Sequence, residues 1–308
     1  MTVPPHGQPT GSDGAPPLQA CVRHPDRPTG LRCTRCERPA CPDCLREASV
    51  GYHCVDCVQA GRGGTRQPVT VAGARLAAKP IVVPVLIALN VLVHVYTSVQ
   101  AGSGMDNFDS DGFATSALLP ILVAGGQWWR LVTSGFLHIG LPHLAMNMIA
   151  LWVIGRDLEL VLGRLRFTAV YFLSLLGGST AVFVFGELVQ PVAGASGAVY
   201  GLMGGIAVAA LRLKVSLRPV LIVIGLNVLL SVTIPGLSLL GHLGGLFVGA
   251  AATAALVYAP RQRRLLFQGG ALAAIFLVLA VALVTKDMSL GNMVCTGYGG
   301  DGTRCGVI

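Results

Sequence analysis

The chain has 308 residues, of which 53% are hydrophobic and only 12% charged, with a mean hydropathy of +0.68. Soluble domains carry roughly 25% charge, so this balance excludes an ordinary water-soluble globular protein. Ten of the 22 Lys and Arg residues fall in the first 79 positions, which reads as a small soluble head on a membrane body, and most later basic residues sit in short clusters between apolar runs, where they report topology before nucleic-acid binding.

Residues 1–20 are rich in Pro and Gly and lack the apolar run of a signal peptide, so a disordered leader and a cytoplasmic N-terminus are expected. Residues 21–58 hold four close pairs: Cys21 with His24, Cys33 with Cys36, Cys41 with Cys44, and Cys54 with Cys57. A two-residue gap lets both side chains of a pair reach one tetrahedral ion. Four pairs supply eight ligands, enough for two structural Zn2+ ions. A cross-braced module would give Cys21, His24, Cys41 and Cys44 to one ion and Cys33, Cys36, Cys54 and Cys57 to the other, with His53 a substitute ligand beside Cys54. A disulfide framework is the rival, and it fits poorly with a cytoplasmic segment. The spacing resembles B-box-type zinc-binding modules, which implies an interaction function and a protein partner. Arg23, Arg27, Arg32, Arg35 and Arg38 could instead meet nucleic acid, but interleaved acids and a membrane tether make that the weaker reading.

Residues 59–79 form a linker. From position 80 the chain runs through apolar stretches near the ~20 residues that cross a bilayer as a helix: about 81–99, 141–160, 166–186, 194–212, 218–234, 239–258 and 267–285. Seven spans from a cytoplasmic start put the tail, residues 287–308, outside. Thirteen Lys and Arg residues fall in the inner connections against three outside (Arg130, Lys286 and Arg304), which agrees with the positive-inside rule. Cys295 and Cys305 then lie where a disulfide is permitted, two free thiols being the alternative. The long connection between the first two spans starts acidic, turns apolar and reaches Trp128 and Trp129. That pattern suits a loop that dips into the outer leaflet and lies against the helices.

Polar residues inside the spans are costly and are candidate functional groups. His143 and Asn147 share a helix face, and His138 precedes them. The fourth span opens on Ser196, with Tyr200 one turn on and Gly197, Gly201 and Gly204 forming a small-residue face. The sixth carries His242 among Gly241, Gly245 and Gly249. Small residues at four-residue spacing let helix backbones approach closely, so these two spans are expected to pack and to bring the Ser196 hydroxyl to the His242 imidazole. A serine needs a base to become a nucleophile, and Asn147, His143 and the Ser196 backbone N–H could receive the charge of a tetrahedral intermediate. No Asp or Glu lies in a span after Ser196, so the expectation is a dyad. His94, four residues from Asn90, is read as structural.

Taken together, Trp129-Arg130 in the first outer loop, His138, His143 and Asn147, the Gly194 to Gly197 segment with Tyr200, and His242 with Gly245 and Gly249 resemble the rhomboid intramembrane serine proteases. The likeness covers roughly residues 81–258. It implies an all-α polytopic fold, with a six-helix core over about 80–260 and here one further helix over 261–286, and cleavage of the transmembrane segments of other proteins. It also implies Ser196 as nucleophile, His242 as base with Tyr200 packed on it, and His143 and Asn147 as oxyanion donors. Trp129 and Arg130 would position the first loop, and Glu159 resembles a structural acidic position. No catalytic cofactor is implied. The rival readings are a transporter or channel, for which no internal repeat is visible, and a non-catalytic rhomboid-like scaffold that binds transmembrane clients. Abundant Arg, Ala, Gly and Val suit a bacterial plasma-membrane protein.

Overall fold

The computed structural model describes residues 17–64, 68–234, 236–291, 293–296 and 304–307, and the chain divides into two compact units, Met1–Gln67 and Pro68–Ile308. In the first, β1 (Gln19–Cys21) pairs antiparallel with β2 (His24–Thr29), and a 3-10 turn at Pro42–Cys44 leads to a second hairpin of β3 (Leu45–Glu47) and β4 (Tyr52–Cys54), followed by α1 (Val55–Gly64). β1 pairs Gln19 with Thr29, so the folded module begins inside the stretch read as a leader; residues 1–16 lie outside the described residues. Its buried apolar residues are Cys21, Cys33, Cys41, Cys44 and Cys54 with only Ala40 and Leu45 beside them. So little hydrocarbon cannot offset the ordering of some forty residues, at roughly 1–2 kcal/mol of backbone entropy each.

The second unit is helical. It comprises α2 (Val82–Ala101), the short α3 (Asp111–Ser116), α4 (Pro120–Ala124) and α5 (Arg130–Thr133), then α6 (Gly140–Ala150), α7 (Arg156–Leu162), α8 (Arg164–Phe185), α9 (Ser196–Leu213), α10 (Arg218–Thr233), α11 (Leu239–Val257) and α12 (Arg264–Leu290). Strands β5 (Met293–Thr296) and β6 (Arg304–Val307) pair with Cys295 opposite Cys305 in register; the side chains of that hairpin, and so the disulfide question, lie outside the described residues.

All seven expected spans are helical; among the described residues, α2, α8, α9, α11 and α12 are each by themselves long and apolar enough to cross a bilayer. The second span is one continuous helical stretch, Gly140–Leu162, in which a π-helical turn at Leu151–Gly155 joins α6 to α7, and polar and charged residues (His143, Asn147, Arg156, Asp157 and Glu159) dilute it. It counts as a sixth candidate only when taken with Arg130–Phe136, from which it is bent by 93°. The fifth, α10, is a 16-residue helix, about 24 Å at 1.5 Å per residue, short of a ~30 Å hydrocarbon core. Leu221, Leu226 and Leu229 on α10 and Phe276, Leu277 and Val281 on α12 are exposed; such faces suit lipid and not water, and the protein is an integral membrane protein.

The core is the packing of α8, α9 and α11, with Phe167, Tyr171, Ala198, Leu202, Ala252 and Leu256 buried between helices. Glycines set its closeness. A methyl group at Gly245 would overlap the Gly197 carbonyl, and one at Gly249 would overlap the backbone of Gly201. Helix α8 joins the contact through Gly177 and Gly178, whose Cβ positions meet the Gly244 and Gly241 carbonyls. The first loop lies against the helices, as expected: the Ser179 hydroxyl of α8 donates to the Leu131 carbonyl over 2.7 Å, and Leu118 exchanges backbone hydrogen bonds with Val192 in the connection from α8 to α9.

Glu159 closes the fold at the start of α2. Its carboxylate, 2% exposed, accepts the N–H groups of Ile81, Val82 and Val83 at 2.7, 3.0 and 2.9 Å. It thereby satisfies donors that a helix start leaves open, and its charge complements the positive end of the helix dipole. Glu159→Gln aims an amide N–H2 at these donors and is expected to cost about 2 kcal/mol, read as a lower unfolding midpoint of the detergent-purified protein; an unchanged midpoint would show that the carboxylate does not anchor α2.

Candidate active site

Ser196 is the first residue of α9. The chain reaches it through Gly194, which sits at φ +132°, a conformation that favours glycine, and a Cβ there would press on the His143 ring. His242 stands in the first turn of α11, whose start is capped by the Ser238 hydroxyl accepting the Gly241 N–H at 3.1 Å. The glycine contact between α9 and α11 then brings Ser196 Oγ to 2.8 Å from His242 Nε2. Tyr200, one helical turn beyond Ser196, stacks flat on the imidazole, with ring centroids 4.1 Å apart and planes 5° from parallel.

The other imidazole nitrogen has a partner that the sequence reading missed. His242 Nδ1 lies 2.7 Å from Ser231 Oγ on α10. Ser231 Oγ also lies 2.7 Å from the Tyr200 hydroxyl and donates to the Asn227 carbonyl over 2.8 Å. The only signal in the sequence was an Asn and a Ser four residues apart in an apolar helix, which share one face.

On the opposite wall, His143 Nδ1 accepts the Ile139 N–H at 3.3 Å. The ring proton therefore belongs on Nε2, facing Gly194 and Ser196. Asn147 spends one amide N–H on the His143 carbonyl at 3.0 Å and keeps the second. His143, Asn147, Ser196, Tyr200, Ser231 and His242 all line one cavity of about 250 Å3 between α6, α9, α10 and α11. His138 stays behind this wall: its ring meets that of His143 edge-on at 5.1 Å, and its Nε2 accepts the Ala195 N–H at 3.4 Å.

A buried polar cluster supports the His138 turn. Asn107, fully buried, donates to the His138 carbonyl at 3.0 Å and to Thr97 Oγ1 at 2.8 Å, and accepts the Gly140 N–H at 3.0 Å. His94 faces this cluster, with Nδ1 3.3 Å from the His138 carbonyl. The Asn90 amide, four residues before His94, turns back onto the Leu86 carbonyl at 2.7 Å.

Trp129, Arg130 and Glu159 lie away from the cavity. Arg130, 1% exposed, donates to the carbonyls of Ala117 and Ala114 at 2.6 and 2.8 Å and to Gln127 Oε1 at 2.7 Å. Trp129 Nε1 reaches the Thr115 carbonyl at 3.1 Å. Together they staple α5 to the α3 end of the loop, giving a buried guanidinium the acceptors it needs.

In the N-terminal unit, Cys21, His24, Cys41 and Cys44 form one group and Cys33, Cys36, Cys54 and Cys57 a second, each with its ligand atoms within 4.8 Å of one another. This is the cross-braced division. His24 presents Nδ1, 3.4 Å from Cys41 Sγ and 3.3 Å from Cys44 Sγ, and His53 belongs to neither group. The Cys54 N–H donates to Cys33 Sγ at 3.1 Å and the Cys57 N–H to Cys54 Sγ at 3.4 Å, the contacts that steady a thiolate. Backbone N–H groups, that of Cys41 foremost, pull the Cys21 thiol down to about 6. Hydrogen bonding with the Cys36 and Cys54 sulfurs pushes Cys57 up to about 12. Crowded sulfurs of this kind hold all their negative charge only beside a cation, and the donor set fits a metal ion in each group.

Comparison with known proteins agrees with this architecture. The family model of the rhomboid domain matches residues 125–259. The rhomboid protease GluP of Bacillus subtilis is 36% identical over 184 residues, covering 58% of this chain and 35% of that protein. RHOMBOID-like protein 4 of Arabidopsis thaliana is 34% identical over 137 residues, 42% of this chain and 34% of that one. The rhomboid protease AarA of Providencia stuartii is 27% identical over 208 residues, 58% of this chain and 73% of its own length. The chain thus spans about a third of the length of the first two. The matched segment runs from within the first loop through α11 and includes every residue that lines the cavity, so over residues 125–259 the chain is similar to a rhomboid domain.

Proposed function

We propose that the protein is an intramembrane serine endopeptidase that cuts transmembrane segments of other membrane proteins. The observation that carries this reading is the 2.8 Å contact of Ser196 Oγ with His242 Nε2, at the wall of a cavity that also holds His143 and Asn147. His242 Nε2 takes the Ser196 hydroxyl proton as Oγ bonds to the scissile carbonyl carbon. The carbonyl π pair moves onto oxygen, where the Ser196 backbone N–H, His143 Nε2–H and the free Asn147 N–H stabilise it. Collapse of that intermediate breaks the C–N bond, and His242 gives its proton to the leaving amine. Water, deprotonated by the same imidazole, then hydrolyses the acyl-enzyme and restores Ser196. Local unwinding must precede this, because a helical peptide keeps its carbonyls hydrogen-bonded and turned from attack; Gly or Pro near the scissile bond and small residues beside it favour it.

The cytoplasmic side carries residues 17–64 and the tail is outside, on the strength of the thirteen-to-three division of basic residues. The paired tetrads bind two Zn2+ ions, thiolate-rich tetrahedral sites being those that Zn2+ favours, and the module recruits a protein partner.

The test is labelling of the detergent-purified protein by a serine-directed fluorophosphonate. Wild type is expected to label, and Ser196→Ala and His242→Ala to lose labelling while keeping their unfolding midpoints. A folded wild type that stays unlabelled, beside an active relative that reacts, would sink the proteolytic reading in favour of a client-binding scaffold.

A further inference from the structure

Four polar atoms meet behind His242: its own Nδ1, the Tyr200 and Ser231 hydroxyls and the Asn227 carbonyl. Ser231 and Tyr200 are 5% and 4% exposed. Ser231 has one proton and three neighbours at 2.7–2.8 Å. The Asn227 carbonyl can only accept, and two lone pairs facing each other at 2.8 Å would repel. The Ser231 proton therefore goes to Asn227, which leaves both Ser231 lone pairs as acceptors. One receives the Tyr200 O–H and the other the N–H of His242. With the imidazole proton held on Nδ1, Nε2 carries the lone pair, and it is Nε2 that meets Ser196.

We propose that Ser231 is a positioning residue for the reaction: anchored by the Asn227 carbonyl, its hydroxyl fixes the Nδ1–H tautomer and the ring orientation of His242, the place that a carboxylate fills in a Ser-His-Asp triad. This rests on the proteolytic reading given above. A neutral hydroxyl suits a span in which a buried carboxylate would be costly, and it still accepts from the imidazolium formed during the reaction, a charge-assisted bond stronger than the resting one. Tyr200 acts from two directions, its ring against the imidazole face and its hydroxyl filling the second Ser231 lone pair. The side chain of Ser231 never touches the substrate's reacting atoms; its effect passes through His242.

The experiment compares full-length wild type with Ser231→Val, Ser231→Thr and Ser196→Ala, using a fluorogenic transmembrane peptide, the fluorophosphonate, and 15N-histidine spectra in which His242 is assigned from His242→Gln. Val and Thr have the same shape, so only the hydroxyl differs. Ser231→Val is expected to lower kcat about 10- to 100-fold with KM unchanged, and to erase the Nδ1–H tautomer signal of His242. Ser231→Thr is expected to stay within about threefold of wild type and to keep that signal. Equal rates in the Val and Thr variants, or an unchanged tautomer in Ser231→Val, would overturn the proposal. Failure of the protease reading looks different, since wild type itself would then not react; the 15N spectra would still decide whether Ser231 holds the tautomer.

Discussion

Gly249→Ala is expected to unfold or grossly loosen the membrane body, although it adds one methyl group to a helix that propensity alone would strengthen. The methyl would overlap the Gly201 carbonyl, Cα and carbonyl carbon, and the same change at Gly245 would meet the Gly197 carbonyl. Both obstacles are backbone, which cannot swing aside as a side chain does. Relief requires α11 to move away from α9 along their whole contact, and we expect about 4 kcal/mol or more of lost stability for either variant. Chemistry fails with packing here, because Gly197 adjoins Ser196 and Gly245 lies one turn from His242, so the separation that admits a methyl also lengthens the 2.8 Å contact between Oγ and Nε2. Gly225→Ala on α10 is the control: nothing lies within 4 Å of its Cβ position, and the gain in helix propensity, up to about 1 kcal/mol, is the whole effect. Thermal unfolding in detergent together with fluorophosphonate labelling measures both. Equal midpoints for Gly225→Ala and Gly249→Ala would mean that the close approach is not what holds these helices together.

That glycine contact explains why much of the site can be read before the chain is folded. Ser196 adjoins Gly197, with Gly201 four residues further on, and His242 precedes Gly245, with Gly249 four further on, so one pattern announces both the chemical groups and the helix faces that join them. His143 and Asn147 likewise share a face through their spacing. Ser231 carries no such mark. A lone serine in a membrane helix most often bonds back to its own backbone, which Ser231 does, at Asn227; that it also meets His242 depends on how α10 leans on α11, and no spacing within one helix encodes a lean between two. Asn107 is hidden for a related reason. It sits in a loop between Asp106 and Phe108, and only the folded chain brings the His138 carbonyl and the Gly140 N–H to it. An apolar window and a helix's length report different things: the window marks α10 as a span, and only the folded chain shows that it is a 16-residue helix. The eight ligands were legible as four pairs, each with two residues between its members, and the folded chain groups alternate pairs, which is the cross-braced division.

Removal of metal is expected to unfold residues 17–64 while leaving the membrane body folded. The module buries five cysteines, one alanine and one leucine as its core, whereas structural Zn2+ sites supply an apparent ~10–16 kcal/mol each at neutral pH. Without ions, the sulfurs of each tetrad repel one another until enough of them are protonated, and the strands they hold are only three to six residues long. Elemental analysis of the full-length protein should find two Zn2+ per chain. A strong chelator should remove both and make the segment around α1 and the two hairpins open to protease and to rapid hydrogen exchange, with added Zn2+ restoring protection. Acid should do the same, because each ligand must shed its proton to bind, and occupancy therefore falls as pH is lowered. Partition of ligands is tested by replacing Cys33, Cys36, Cys54 and Cys57 with serine together. In a cross-brace this leaves the Cys21, His24, Cys41 and Cys44 site whole and one ion bound. If the pairs were instead used in chain order, the same four changes would break both sites and leave none. A metal-free protein with full protection of residues 17–64 would defeat the prediction outright, since nothing else among the described residues of that unit could hold so small a core together.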